Sequence, residues 1–169
     1  MKNINQLIPV RLQRKRTKGF KLVIPNELPI VYVGRGTKWG NPFKVVEVAD
    51  NEWHVVAKEN DTWNVLLKTS SHDEALNFSL KSYQYWLMPY THKDGDIEKF
   101  YQPTAILESI VSELKGKNLA CWCKIVDEKG DYCMCHADLL LSLANNKSID
   151  EIKEKNIATY IWEKSQLFE

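Results

Sequence analysis

All four cysteines of this chain fall inside one short window, "CWCKIVDEKGDYCMCHAD" at residues 121–138, together with His136 and Asp138. A chain that gathers its sulfur this way must fold so that these side chains meet, or so that they are buried side by side. Three readings compete: a metal site, a reactive thiol, or buried strands in which cysteine serves as a small hydrophobe. "LACWC" is short and apolar, as a strand would be. Alternation along a strand puts Cys121 and Cys123 on one side and Trp122 on the other, so Trp122 is expected in the core. Cys133 and Cys135 repeat the C-x-C spacing after a polar excursion that contains Gly130. "CHADLLLSLAN" then opens a helix.

The compartment decides how the sulfur is read. The N-terminal "MKNINQLIPV" holds no apolar core of signal-peptide length, and no stretch approaches the about 20 apolar residues of a membrane span. The expectation is a cytoplasmic protein, with no membrane partner and with reduced thiols. Clustered cysteines are then ligands or catalysts before they are disulfides. Zinc takes four such ligands, and the expected set is Cys121, Cys123 and Cys135 with His136, or with Cys133 in its place. The C-x-C spacing is less diagnostic of zinc than C-x2-C. In the catalytic alternative His136 and Asp138 transfer protons at a strand's C-terminal end, and Cys123 is a thiolate near a helix N-terminus. In the structural alternative Cys121 and Cys123 are buried hydrophobes and Asp138 caps a helix.

Periodicity gives the fold class. Ile30 to Val33 is a short apolar run stopped by Gly34, a buried strand feeding a loop. "VVEV" and "WHVVA" flank "ADNE" and read as a β-hairpin, while "TWNVLLK" is ambiguous between a strand and a helix start. Ser71 and Glu74 form an S-x-x-E capping box, and Leu76, Leu80, Tyr83 and Leu87 follow on one helical face. A second helix is expected from about Pro103, with Ile106, Leu107, Ile110, Val111 and Leu114 as its stripe. Ser148 and Glu151 open a last helix, through about Lys164. Strands, helices, strand and helix in this order predict α/β: a single three-layer α/β domain with an added β-hairpin and a C-terminal helix. The expected divisions are a basic N-terminal arm at residues 1–22, an α/β core at 23–146 and a C-terminal helical extension at 147–169.

Charge is unevenly spread. Residues 1–44 carry ten Lys and Arg against one acid, Glu27, for a net +9, while the whole chain is +1. The remainder therefore sums to −8. A basic head on an acidic body suggests a polyanionic partner, with Arg11, Arg14, Lys15, Arg16 and Lys18 as the expected nucleic-acid contacts. The competing account is a solvated arm that pairs with the protein's own acidic helices.

"GRGTKWGNPF" follows the first strand. Its glycines let the backbone turn sharply and approach a ligand. Arg35 and Lys38 would hold phosphate, Trp39 would stack on a base, and Asn41 would read a polar group or join the chemistry. It matches no named phosphate-binding pattern. Asn41-Pro42 is equally a common turn former.

Together, "LQRKRTKGF", "VYVGRGTKWGNPF" and "GKNLACWCK…CHADLLLSLAN" resemble the family catalogued as domain of unknown function 4326, small proteins of bacteriophages and bacteria. The resemblance covers about residues 11–146 in blocks. It groups Arg35, Trp39, Asn41, Pro42 and Phe43 with Cys121, Cys123, Cys135, His136 and Asp138. It also implies that Cys133, which lies in a longer loop in this chain, is the least essential cysteine. The family brings no activity with it. The leading expectation is a nucleotide- or nucleic-acid-directed domain, a hydrolase or transferase acting on a nucleotide, nucleoside or nucleic-acid end through His136, Asp138 and Asn41. The alternative is a non-enzymatic, zinc-stabilised nucleic-acid-binding accessory protein.

Overall fold

The structure, a computed structural model, describes residues 8–87 and 105–166. Its elements run β1 (Arg11–Gln13), β2 (Ile30–Tyr32), β3 (Lys44–Ala49), β4 (Glu52–Glu59), β5 (Thr62–Thr69), α1 (His72–Leu87), α2 (Ala105–Leu114), β6 (Asn118–Cys121), α3 (His136–Asn145) and α4 (Ile149–Ser165). The fold is mixed α/β, as the element order predicted. The chain divides into two compact units, Met1–Trp39 with Glu108–Glu169, and Gly40–Leu107.

In the first unit the sheet order is β1-β6-β2, and both pairings are parallel. The middle strand β6 is buried along its whole length, which suits the unbroken run Asn118-Leu119-Ala120-Cys121. Asn118 is the polar exception, and its amide is fully used. Its Oδ1 accepts from the Val10 N–H at 3.0 Å and its Nδ2 donates to Asn26 Oδ1 at 2.7 Å. Those bonds fix where β6 starts. The ladder continues past the named strands, with Arg14 N–H donating to Cys121 O at 2.8 Å and Val33 N–H donating to Ala120 O at 2.9 Å. Helix α3 packs on β6 and β1, and α4 packs on α3. Ala137, Leu139, Leu140, Leu141 and Ala144 of α3 are buried. The expected Ser148–Glu151 capping box of α4 is formed in both directions, at 3.2 and 2.9 Å.

In the second unit β3, β4 and β5 form an antiparallel meander. The expected hairpin is β3–β4, turning through Asn51 at φ 55°. "TWNVLLK" resolves as strand, because Asn60 and Asp61 both take positive φ and return the chain in a tight turn. Helix α1 covers the meander with Ala75, Ser79, Leu80, Tyr83 and Leu87. Leu76 is only half-buried, so the buried face is rotated slightly from the expected stripe. Half of its capping box forms: Glu74 N–H donates to Ser71 Oγ at 3.2 Å, while the Glu74 carboxylate takes the Thr69 hydroxyl instead. The expected start of the second helix near Pro103 lies outside the described residues. Of its stripe, Ile110 and Leu114 are buried and Val111 is exposed.

The expected arm needs correction at Arg11. Arg11–Gln13 is a strand paired to β6, and Arg11 and Leu12 are buried in the first unit. Only from Arg14 onward is the basic run exposed.

Candidate functional site

The cysteine window, residues 121–138, folds into a compact reversal. After Cys123 the chain turns over Asp127, whose Oδ1 accepts from Lys129 N–H at 2.8 Å and Asp131 N–H at 2.9 Å. Gly130 takes a φ of +89° there, which favours glycine. Cys133 N–H then donates to Ile125 O at 2.8 Å, and the returning strand delivers Cys135 to the end of β6. The Sγ atoms of Cys121, Cys123 and Cys135 all lie within 4.8 Å of one another. Cys121 and Cys135 are 3.8 Å apart. Two sulfurs about 2.3 Å from a tetrahedral centre stand roughly 3.8 Å apart, so this pair already has the spacing of zinc ligands. These three cysteines can hold a metal ion.

Cys133 is not among them. Its Sγ faces the Asp131 carbonyl at 3.8 Å.

His136 is the fourth group. Its Nε2 lies 2.8 Å from the Val33 carbonyl. A carbonyl only accepts, so Nε2 carries the hydrogen and Nδ1 is left for the thiols. The Cys123 and Cys135 thiols raise the pKa of the imidazole. A backbone carbonyl that fixes one ring nitrogen while the other faces sulfur is the usual support of a metal-bound histidine. The adjacency of Cys135 and His136 is no obstacle. Cys135 is the extended N-cap of α3, at φ −143° and ψ 176°, and His136 is its first helical residue.

Electrostatics divide the thiols. Hydrogen bonding with Cys123 and Cys135, followed by burial, holds the Cys121 thiol far above its ordinary range. Burial also opposes ionisation of Cys135. Hydrogen bonds from Cys121 and Cys123, the Arg11 charge and His136 outweigh it, so Cys135 is pulled well down and is the thiolate of the set. Burial would lower His136, but its bonds to Cys123 and Cys135 and the Cys135 charge push it up to about 10. The two shifts favour charge separation between His136 and Cys135 in the metal-free protein. A bound cation would take over the charge balance.

Behind the thiols lies a second buried group, and most of it escaped the sequence reading. Arg11 Nη2 donates to Cys133 O at 2.8 Å and to Lys124 O at 3.2 Å. Asp138 accepts from Cys135 N–H at 2.8 Å through Oδ2, and from Tyr132 OH and Asn156 Nδ2 at 2.9 Å through Oδ1. Asn156 Oδ1 in turn accepts from Arg11 N–H at 2.7 Å. Burial and the Cys135 charge push Asp138 up to about 7, against Arg11 and the donated hydrogen bonds. The helix-cap reading of Asp138 is therefore realised, within a network that also closes the reversal.

The other expected site residues are placed as follows. Asp138 is 1 % exposed and His136 7 %. Asn41 lies in the second unit, where Oδ1 accepts from Phe43 N–H at 2.9 Å and Nδ2 donates to Ser79 Oγ at 3.0 Å. Trp39, expected to stack on a base, is buried. Lys38 pairs with Glu113 at 2.6 Å. Arg35 is exposed. The Gly loop closes on itself, with Gly34 O accepting from Thr37 N–H at 3.2 Å and Thr37 Oγ1 at 2.8 Å. Trp122, expected in the core, is instead 37 % exposed. The Arg14 guanidinium lies 4.8 Å from its ring centre and 5.2 Å from that of Tyr32, and Arg16 lies 5.2 Å from Trp122.

The fold and site thus define a mixed α/β protein with a cluster of three cysteines at the end of a parallel strand, and His136 next to Cys135 in the chain. The chain belongs to the family described as Domain of unknown function (DUF4326), whose sequence profile matches residues 12–146. No curated protein and no solved structure matches it. No described helix is long and apolar enough to cross a membrane.

Proposed function

We propose that this protein is a nucleic-acid-binding protein whose binding surface is organised by a zinc ion on Cys121, Cys123, Cys135 and His136. The donor set is soft, buried and suited to tetrahedral geometry, and four protein ligands leave no open position for substrate. When bound, the metal supplies structural cross-linking of strand β6 to the start of α3. The observation that carries the binding reading is the state of the basic run. Arg14 is fastened to the metal-bearing strand through its N–H on Cys121 O. Among the described residues neither Arg14 nor Arg16 has an acidic partner within ion-pair distance. Exposed arginines without an acidic partner, just past the end of β1, are available to phosphates.

The enzymatic alternative needs His136, Asp138 and Asn41 to reach a substrate. The burial of His136 and Asp138, and the internal hydrogen bonds of all three, favour the binding reading over it. The test has two arms. Elemental analysis of freshly purified protein should give close to one zinc per chain, with Cys133 as the readily titrated thiol. Fluorescence anisotropy with a labelled oligonucleotide should show binding that weakens steeply with salt. Four freely titrating thiols without zinc would remove the metal from the proposal, and absence of binding at low salt would remove the nucleic acid.

A further inference from the structure

The basic run and the end of β6 together build more than a patch of charge. Tyr32 ends β2, and its ring lies against Gly34: a Cβ at Gly34 would overlap the Tyr32 ring carbons and hydroxyl. Arg14 stands beside both Tyr32 and Trp122, and Arg16 stands beside Trp122. The four side chains form a series, Tyr32, Arg14, Trp122, Arg16, in which aromatic rings alternate with guanidinium groups. Trp122 sits between two proposed metal ligands, Cys121 and Cys123, so its backbone is held on both sides. What sets Trp122 apart from the other exposed aromatic residues is that two guanidinium groups flank its ring, at 4.8 and 5.2 Å from the ring centre.

Deepening the nucleic-acid reading on which it rests, we infer that Tyr32 and Trp122 are a stacking platform for unpaired nucleobases, with Arg14 and Arg16 on the adjoining phosphates, so that the protein selects single strands over duplex. Duplex bases are already stacked and present only their edges, so a flat indole gains little from them. An unpaired base has both faces free, and stacking on an aromatic side chain is tolerant of sequence. Guanidinium groups can stack on the rings in the free protein and turn to phosphate in the complex, because both contacts use the same planar cation. Charge complementarity argues for a polyanion, and the exposed Trp122 ring, with the half-buried Tyr32 beside it, for one that carries aromatic faces. An acidic protein segment would satisfy the first condition only.

The experiment compares a fluorescein-labelled 12-nucleotide single strand with the same strand in a duplex, by anisotropy, on the zinc-loaded full chain. The parent should favour the single strand by about tenfold or more. Trp122→Ala should weaken single-strand binding by about 5- to 150-fold and leave duplex binding within about twofold, while Trp122→Phe keeps most of the preference. Zinc content and melting temperature should match the parent. Equal parental binding to strand and duplex would overturn the inference, as would proportional loss of both in Trp122→Ala. So would displacement of the oligonucleotide by polyglutamate as readily as by unlabelled strand, which would move the surface to acidic proteins. The combined substitution Arg14→Gln, Arg16→Gln, Lys18→Gln separates the two levels. If it weakens strand and duplex alike while Trp122→Ala changes nothing, stacking fails and the nucleic-acid reading stands. If it changes neither, both fail.

Discussion

Arg11 Nη1 lies 3.1 Å from Asp138 Oδ2, with both side chains out of solvent. One charge opens the first strand of the sheet and the other sits in the first turn of α3, so the pair ties the two ends of the first unit together. Burial alone would lower the pKa of Arg11, but Cys135, Asp138 and Tyr132 raise it, and the guanidinium stays charged. Its Nε and Nη1 have no well-directed hydrogen bond among the described residues. The negative charge of a metal–thiolate cluster beside it would offset that deficit.

Arg11→Met should therefore cost much more than a surface arginine would. It leaves the Asp138 carboxylate buried without its cation, a defect worth about 3–5 kcal/mol. Urea unfolding of the zinc-loaded protein checks this through a lower midpoint at an unchanged slope. A loss below about 1 kcal/mol, the range of exposed pairs, would show that the pair contributes little.

Asn156 extends the same reasoning to α4. Its amide makes bonds to Arg11 N–H, Tyr132 OH and Asp138 Oδ1 at 2.7–2.9 Å. Neither Arg11 nor Asn156 lies within the family-matched span of residues 12–146. A fragment of residues 12–146 should thus lack a cooperative unfolding transition, while residues 8–166 should keep one. Asn156→Leu in the full chain should cost about 1–3 kcal/mol, the range for stranding a buried polar group. A fragment of residues 12–146 that melts like the full chain would show that the network is dispensable.

How much of this was legible depends on the range of the contacts that decide it. The sulfur window was readable because spacing within one stretch limits how its side chains meet, and Cys133, which the resemblance set apart, lies outside the close group of three. Helix α4 announced itself through a local capping box. Arg11 did not, because in "RLQRKR" nothing local separates the first arginine from the rest; its partner Asn156 is 145 positions away. Trp122 shows a different limit. Alternation rightly put it opposite Cys121, but β6 ends at Cys121, so the opposite side there is an open edge rather than core. Trp39 and Asn41 looked ligand-facing because glycine-rich loops serve ligands and tight turns equally well, and the turn's hydrogen bonds appear only in three dimensions.

Metal removal offers a sharp contrast among the cysteines. Cys133→Ser should keep zinc, the melting temperature and oligonucleotide binding. Cys121→Ser and Cys135→Ser should each lose zinc and melt well below the parent. A chelator should bring the parent to the same low melting temperature, since ligands held only by the folded state make metal affinity part of folding stability. Zinc retained in Cys135→Ser, or lost in Cys133→Ser, would require a different ligand set.

The salt dependence of binding can be set in advance by counting cations. Arg11 is committed to Asp138, and Lys15 lies near enough to Glu163 to lower its pKa against the rise caused by burial. Arg14, Arg16 and Lys18 remain. Three phosphate contacts on a single strand predict a slope of log K against log salt of about −2. Lys15→Gln should hardly change it, whereas Arg14→Gln should flatten it by about 0.7. A parental slope near −4 would mean about six phosphate contacts, so that Lys15 and further cations of the basic head bind as well.

Gly34 tests the stacking platform without touching a charge. A methyl group there would overlap the Tyr32 ring, and the overlapped atoms belong to a side chain rather than to backbone. The turn itself should persist, because Gly34 contributes to it through its carbonyl, which accepts from Thr37. Gly34→Ala should therefore displace Tyr32 rather than unfold the sheet, with a stability loss of about 1 kcal/mol, as for a typical substitution. Single-strand affinity should fall as far as it does in Tyr32→Ala. Because both changes act on one ring, the double variant Gly34→Ala, Tyr32→Ala should bind no worse than either single one, the signature of coupled positions in a double-mutant cycle. Additive losses would mean that Gly34 acts through something other than Tyr32, and an unchanged affinity in both single variants would take Tyr32 out of the platform and leave Trp122 as its only ring.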